Sequence, residues 1–146
     1  MIHLRLNLVL VVLVLVASCG GTAYLYEPVD SGTFLARAER ESEGPINIAT
    51  AVPGREETER IFGIDLYDQG IQPVWLQVEN AGDTLARYAL VSTDPEYFSP
   101  LEVSYMNRRG YSKDARAAMD ERFHNLAMPR YIDPGETQSG FVLTHA

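Results

Sequence analysis

The chain of 146 residues carries 12 basic against 20 acidic side chains, a formal charge of −8 with histidines neutral. That excess of acid excludes a nucleic-acid binder of the usual kind, which needs a concentrated basic surface. A single cysteine excludes an internal disulfide, so packing must hold any domain together.

The only long apolar run opens the chain. After Arg5, residues Leu6 to Ala17 are apolar except for Asn7, and the run ends on Val16-Ala17-Ser18-Cys19. A charged start, a short apolar core and small residues before a cut are the anatomy of a secretory signal peptide. The run falls short of the roughly 20 apolar residues that a transmembrane helix needs. Ending on a cysteine, it resembles a bacterial lipobox. That resemblance implies cleavage after Val16, Ala17 and Ser18, and a diacylglycerol and palmitate on Cys19. Plain secretion and an uncleaved anchor are the alternatives, but a leftover thiol in an exported protein calls for an explanation, and lipidation supplies one. No other cofactor is expected. Two or more acyl chains hold a protein stably at a bilayer, where one does not. Gly20 and Gly21 follow the cysteine. With no aspartate there, a Gram-negative lipoprotein would pass to the periplasmic side of the outer membrane. Loss of residues 1–18 leaves 128 residues at −9, a charge that disfavours broad contact with anionic head groups and leaves the membrane contact to the lipid.

Residues 19–45 read as a lipidated spacer that gradually becomes structured, and 46–146 as the domain. In the spacer, Tyr24, Leu25 and Tyr26 are apolar enough to dock, and Phe34 to Glu41 suits a short helix. Ile46, Ile48, Thr50 and Val52 alternate with Asn47, Ala49 and Ala51, the pattern of a half-buried strand stopped by Pro53-Gly54. Arg55 to Phe62 predicts a charged helix with Glu56 and Arg60 at i, i+4. After Gly70, Val74, Leu76 and Val78 face one way and Trp75, Gln77 and Glu79 the other. The turn Asn80-Ala81-Gly82-Asp83 predicts a hairpin in which Leu85 to Val91, with Tyr88 and Leu90 on one face, returns antiparallel to that strand. Trp75 is expected to anchor the sheet rather than to form a ligand platform. Asp94 to Pro100 forms a proline-bounded turn, and Leu101 to Asn107 fits a helix start or a short strand. Asp94, Glu96 and Glu102 lack the dense oxygen spacing of a calcium loop. Ser112 predicts the N-cap of a helix to Leu126, with Ala115, Met119, Phe123 and Leu126 as its apolar stripe and an Arg116–Asp120 pair. Arg108, Arg109, Lys113 and Arg116 form the only basic cluster, more in keeping with a solvated helix entrance than with a phosphate or head-group site. His124 has no second histidine nearby to make a metal site. Asp133-Pro134-Gly135 turns into a last strand over Ser139 to Thr144.

From Phe34 onward the chain resembles the LssY C-terminal-like domain, an uncharacterised family of bacterial envelope proteins. The resemblance rests on Ala49 to Phe62, Gly63 to Asn80 and Asp94 to Glu102, with a weaker fit over Tyr131 to Val142. It brings no catalytic residues with it. It implies a mainly β, sandwich-like domain with one or two helical insertions, shortened at its C-terminal end. A small α+β domain is the alternative, since about four strands fall short of a sandwich's seven.

Three functions are consistent with this reading. The first is a non-catalytic envelope module that holds a partner protein through a sheet edge or an aromatic loop. The second is a structural envelope lipoprotein without a discrete ligand. The third is an envelope hydrolase with Glu56, Glu57, Glu59 or His124 as its acid–base groups, and it lacks a nucleophile beside them. The first is favoured.

Overall fold

A computed structural model describes residues 21–89 and 97–146. Cys19, its cleavage motif Val16, Ala17 and Ser18, the strand end at Leu90 and Val91, and the acids Asp94 and Glu96 lie outside the described residues.

Helix and strand take nearly equal shares, 33% and 32%, so the β-rich domain with helices is realised as a mixed α+β fold. In chain order the elements are α1 (Ser31–Arg37), β1 (Glu39–Glu43), β2 (Ile46–Ala51), α2 (Arg55–Phe62), a 3₁₀ turn (Tyr67–Gln69) and β3 (Ile71–Asn80). There follow β4 (Ala86–Arg87), α3 (Pro100–Met106), α4 (Lys113–Leu126), β5 (Tyr131–Ile132) and β6 (Thr137–His145). The main sheet is antiparallel in the order β1-β2-β3-β6, and β4 pairs with β5 in a separate ribbon.

β3 is covered on both faces, each over a different half. Ile71, Pro73 and Trp75 are buried on one face toward its start, while Leu76, Val78 and Asn80 are buried on or beside the other toward its end. Ile71 and Trp75 join the main core with residues of all four helices, and Leu76 and Val78 join a smaller core with Met128, Ile132 and Val142. An aromatic chain crosses the main core. Trp75 stacks on Phe34 at 5.3 Å, Phe34 meets Phe141 edge-on, and Phe62 touches both Phe141 and Phe123 at 5.2 Å.

The structure corrects three local expectations, at the return strand, the first helix and the Arg116–Asp120 pair, and fixes the inner face of β2. The return strand after Asn80 does not pair with β3, because β2 and β6 already occupy both of its edges. Instead the Asn80 amide donates to the carbonyls of Thr84 and Ile132 and accepts from Gly82, which turns the chain across the sheet to β5. The helix expected over Phe34 to Glu41 ends at Arg37, and Glu39 to Glu43 pair with β2 as an edge strand instead. Asp30 caps that helix; its carboxyl lies below the usual range because Thr33 and the Gly32 amide donate to it. On β2 the buried side is Ala49 and Ala51, whose small side chains face α1, while Ile48 is exposed. Asp120 pairs with Arg108 and accepts from Ser104, and Arg116 donates to the Tyr111 carbonyl.

The other elements follow their sequence signals. Ser99 and Glu102 form a capping box with Pro100 at the first turn, which settles residues 100–106 as helix. Ser112 accepts from the Ala115 amide at 3.1 Å, and Ala115, Met119, Phe123 and Leu126 are all buried.

On α2 the Thr58 hydroxyl is buried with no hydrogen-bond partner among the described residues. An unmade buried hydrogen bond costs about 1–3 kcal/mol. Thr58→Val keeps the shape and removes the hydroxyl, so we expect a gain of about 1 kcal/mol, read as a melting temperature higher by a few degrees. Unchanged or lower stability would show that the hydroxyl has found a partner.

Candidate functional site

The candidate site is the place where the chain following Cys19 enters the fold. Residues 21–27, expected within a spacer, are docked against the helices. Thr22 pairs in parallel with Tyr111, donating to the Gly110 carbonyl and accepting from the Ser112 amide. A Cβ on Gly21 would stand 2.6 Å from the Ser112 nitrogen, so only glycine allows this approach.

Tyr24 is buried, and its hydroxyl donates to the Phe62 carbonyl at the end of α2. Burial pushes its phenol well above the usual range against the pull of Arg122, so it remains a neutral donor. Gly63 ends α2 in the left-handed conformation at φ 70°, where its amide bonds to the Glu59 carbonyl. A side chain at Gly63 would overlap the Leu25 carbonyl and the Tyr24 ring.

Arg122 fastens the segment from the α4 side. Its guanidinium donates to the Ile61 carbonyl at 3.0 Å and the Glu27 carbonyl at 2.5 Å, and lies 4.3 Å from the Tyr26 ring centre. Burial draws its pKa below the usual arginine value, opposed by the neighbouring Tyr24 and Tyr26. Arginine keeps its charge under such shifts, so these are charge-assisted bonds. The Glu27 amide adds a bond to the Arg60 carbonyl at 2.7 Å. Tyr24 and Tyr26 carried an apolar signal in the sequence. Arg122 carried none, because its partners are backbone carbonyls far along the chain.

The other candidate groups do not converge with this segment into one reactive centre. Glu57 is paired with Arg37 at 2.5 Å, and Glu56 and Glu59 are exposed on α2. His124 is exposed on α4, and Glu102 serves the Ser99 capping box. Trp75 is 1% exposed and therefore a core anchor. Of the basic cluster, Arg108 and Arg116 are engaged within the fold, while Arg109 and Lys113 project into solvent. Among the described residues no group of three or more His, Cys, Asp or Glu is placed to hold a metal ion, and no helix is long and apolar enough to cross a membrane.

Set against protein-family models, curated proteins and solved structures, the chain finds no match.

Proposed function

We propose that the protein is a bacterial lipoprotein, held at the cell envelope by acylated Cys19, whose domain is a non-catalytic binding module. In this reading β1 receives an extended segment of an envelope protein as an added strand. The observation that carries it is the inequality of the two sheet edges. β6 is covered, since Phe98 bridges to Leu143 and Ala127 to Phe141, with the Met128 amide on the Phe141 carbonyl. β1 ends the sheet with no further strand among the described residues. A free edge offers its main chain to an incoming strand, and side chains set the choice of partner. Glu39, Glu41 and Glu43 repel a second copy of the same edge and suit a segment bearing lysine or arginine.

The anchor half of the reading is supported by the small residues before Cys19 and by the engagement of the fold from Gly21 onward. In a Gram-negative cell it favours the periplasmic side of the outer membrane.

A photo-crosslinking residue at Glu41 tests the edge in intact envelopes. We expect a discrete adduct that a crosslinker at Asn125 on α4 does not give, and that Glu39→Lys with Glu43→Lys abolishes. Identical adducts from both positions, or none from either, would contradict a binding role for β1.

A further inference from the structure

We infer that the turn joining α3 and α4 is a membrane-contact surface that rests on the phospholipid head groups of the bilayer holding the anchor. The inference rests on the acylation of Cys19. Only Gly20 lies between Cys19 and Gly21, a span of two residue steps, and an extended chain covers at most about 3.6 Å per step. The acylated residue therefore lies within about 7 Å of Gly21. Gly21 and Thr22 are pinned against Gly110, Tyr111 and Ser112, so the turn is the part of the fold brought to the bilayer.

That surface has interfacial chemistry. Leu101, Tyr105 and Met106 on α3 are 55%, 70% and 54% exposed, and Leu101 and Tyr105 stand one helical turn apart. Arg109 and Lys113 project into solvent immediately beyond them. Tyrosine favours the head-group layer, and long basic side chains reach phosphates while their stems cover apolar surface. Asp68, Glu102 and Asp114 lie in the same region, so the contact is amphipathic and does not depend on a broad basic field. A weak contact suffices, because a short tether raises the effective concentration of the surface to the millimolar range.

Charge placement favours the same orientation. Asn107 exchanges hydrogen bonds with Gln69 at 2.9 and 3.1 Å, which puts the end of α3 beside the start of β3. Glu43, Glu79, Asp83, Asp133 and Glu136 gather about the other end of β3, near Asn80. Ten residues of strand place those ends roughly 30 Å apart. With the basic turn at the bilayer, this acidic end points away from anionic lipid.

The test uses the full chain, acylated in a bacterial host and reconstituted into phosphatidylethanolamine–phosphatidylglycerol vesicles. Thioether-linked Cys19 does not react with thiol probes, so Met106→Cys and Glu43→Cys each offer a single site for an environment-sensitive fluorophore. We expect the probe at position 106 to emit to the blue and to be quenched by shallow spin-labelled lipid several-fold more than the probe at 43. Adding Arg109→Glu and Lys113→Glu should bring it to the level of position 43. Equal quenching at both positions, with acylation verified by mass, overturns the contact and leaves the anchor standing. Unmodified Cys19 overturns both.

Discussion

Replacing Trp75 by alanine is expected to cost about 3–5 kcal/mol, the range for truncating a large buried aromatic. The indole is 1% exposed and stacks on Phe34 with the rings 13° from parallel. Phe34 lies on α1 and passes the contact on to Phe141 of β6, which meets Phe62 of α2. The cavity therefore opens where three elements converge on β3, and none can close it without losing its other contacts. A domain of this size has a total margin of about 5–15 kcal/mol, so the loss takes a large part of it. Chemical denaturation measures it, and Trp75→Phe should retain most of the stability. A loss below about 1 kcal/mol would mean that the indole is not part of this core.

The second large effect is expected at Asn80. Its amide donates to the Thr84 carbonyl at 2.8 Å and to the buried Ile132 carbonyl at 3.0 Å, and its oxygen accepts from the Gly82 amide at 3.1 Å. Asn80→Ala removes all three of these bonds at once, at an expected cost of about 3 kcal/mol. Asn80→Asp should cost as much at neutral pH, since a carboxylate cannot donate to the two carbonyls. The two variants then part with pH. Burial beside carbonyls raises a carboxyl's folded pKa above the unfolded value of about 3.9, so the folded state binds the proton more tightly. The penalty on Asn80→Asp is therefore full above the folded pKa and shrinks as pH falls toward the unfolded one. That on Asn80→Ala does not change through this group. Parallel denaturation curves from pH 7 to pH 4 would contradict this role for the amide.

The elements legible in the sequence are those that carry their own signals. Ser112 and its apolar stripe specify α4, Pro53-Gly54 and Gly63 bracket α2, and the alternation around Trp75 specifies β3. What escaped depends on partners far along the chain. β1 is a charged run, Glu39 to Glu43, that is a strand only because β2 lies beside it. β3 takes β6 as its neighbour across the register Val74 with Val142, a pairing that no local pattern encodes. The Asn80 turn looked like an ordinary hairpin because its side-chain bond to Ile132 spans 52 residues. On β2 the alternation marks a half-buried strand without naming its inner face, since burial there is decided by space beneath α1, where Ala49 and Ala51 fit, and not by hydrophobicity.

The same division holds for the candidate site. The apolar run and the small residues before Cys19 form a local pattern and stand out at once. For residues 21–27 the apolar Tyr24 and Tyr26 signal that the segment docks but not where, because the docking is made of backbone pairing to Gly110 and Ser112 and of carbonyls held by Arg122. Side-chain type carries little trace of either.

The measurement that bears most directly on the account is the mass of the N-terminal tryptic peptide, Cys19 to Arg37, taken from a membrane fraction. The account predicts a peptide beginning at Cys19 and heavier by the mass of two or three acyl chains with their glycerol. An unmodified peptide beginning at or near Cys19 would contradict it, leaving a secreted domain with a free thiol and no anchor.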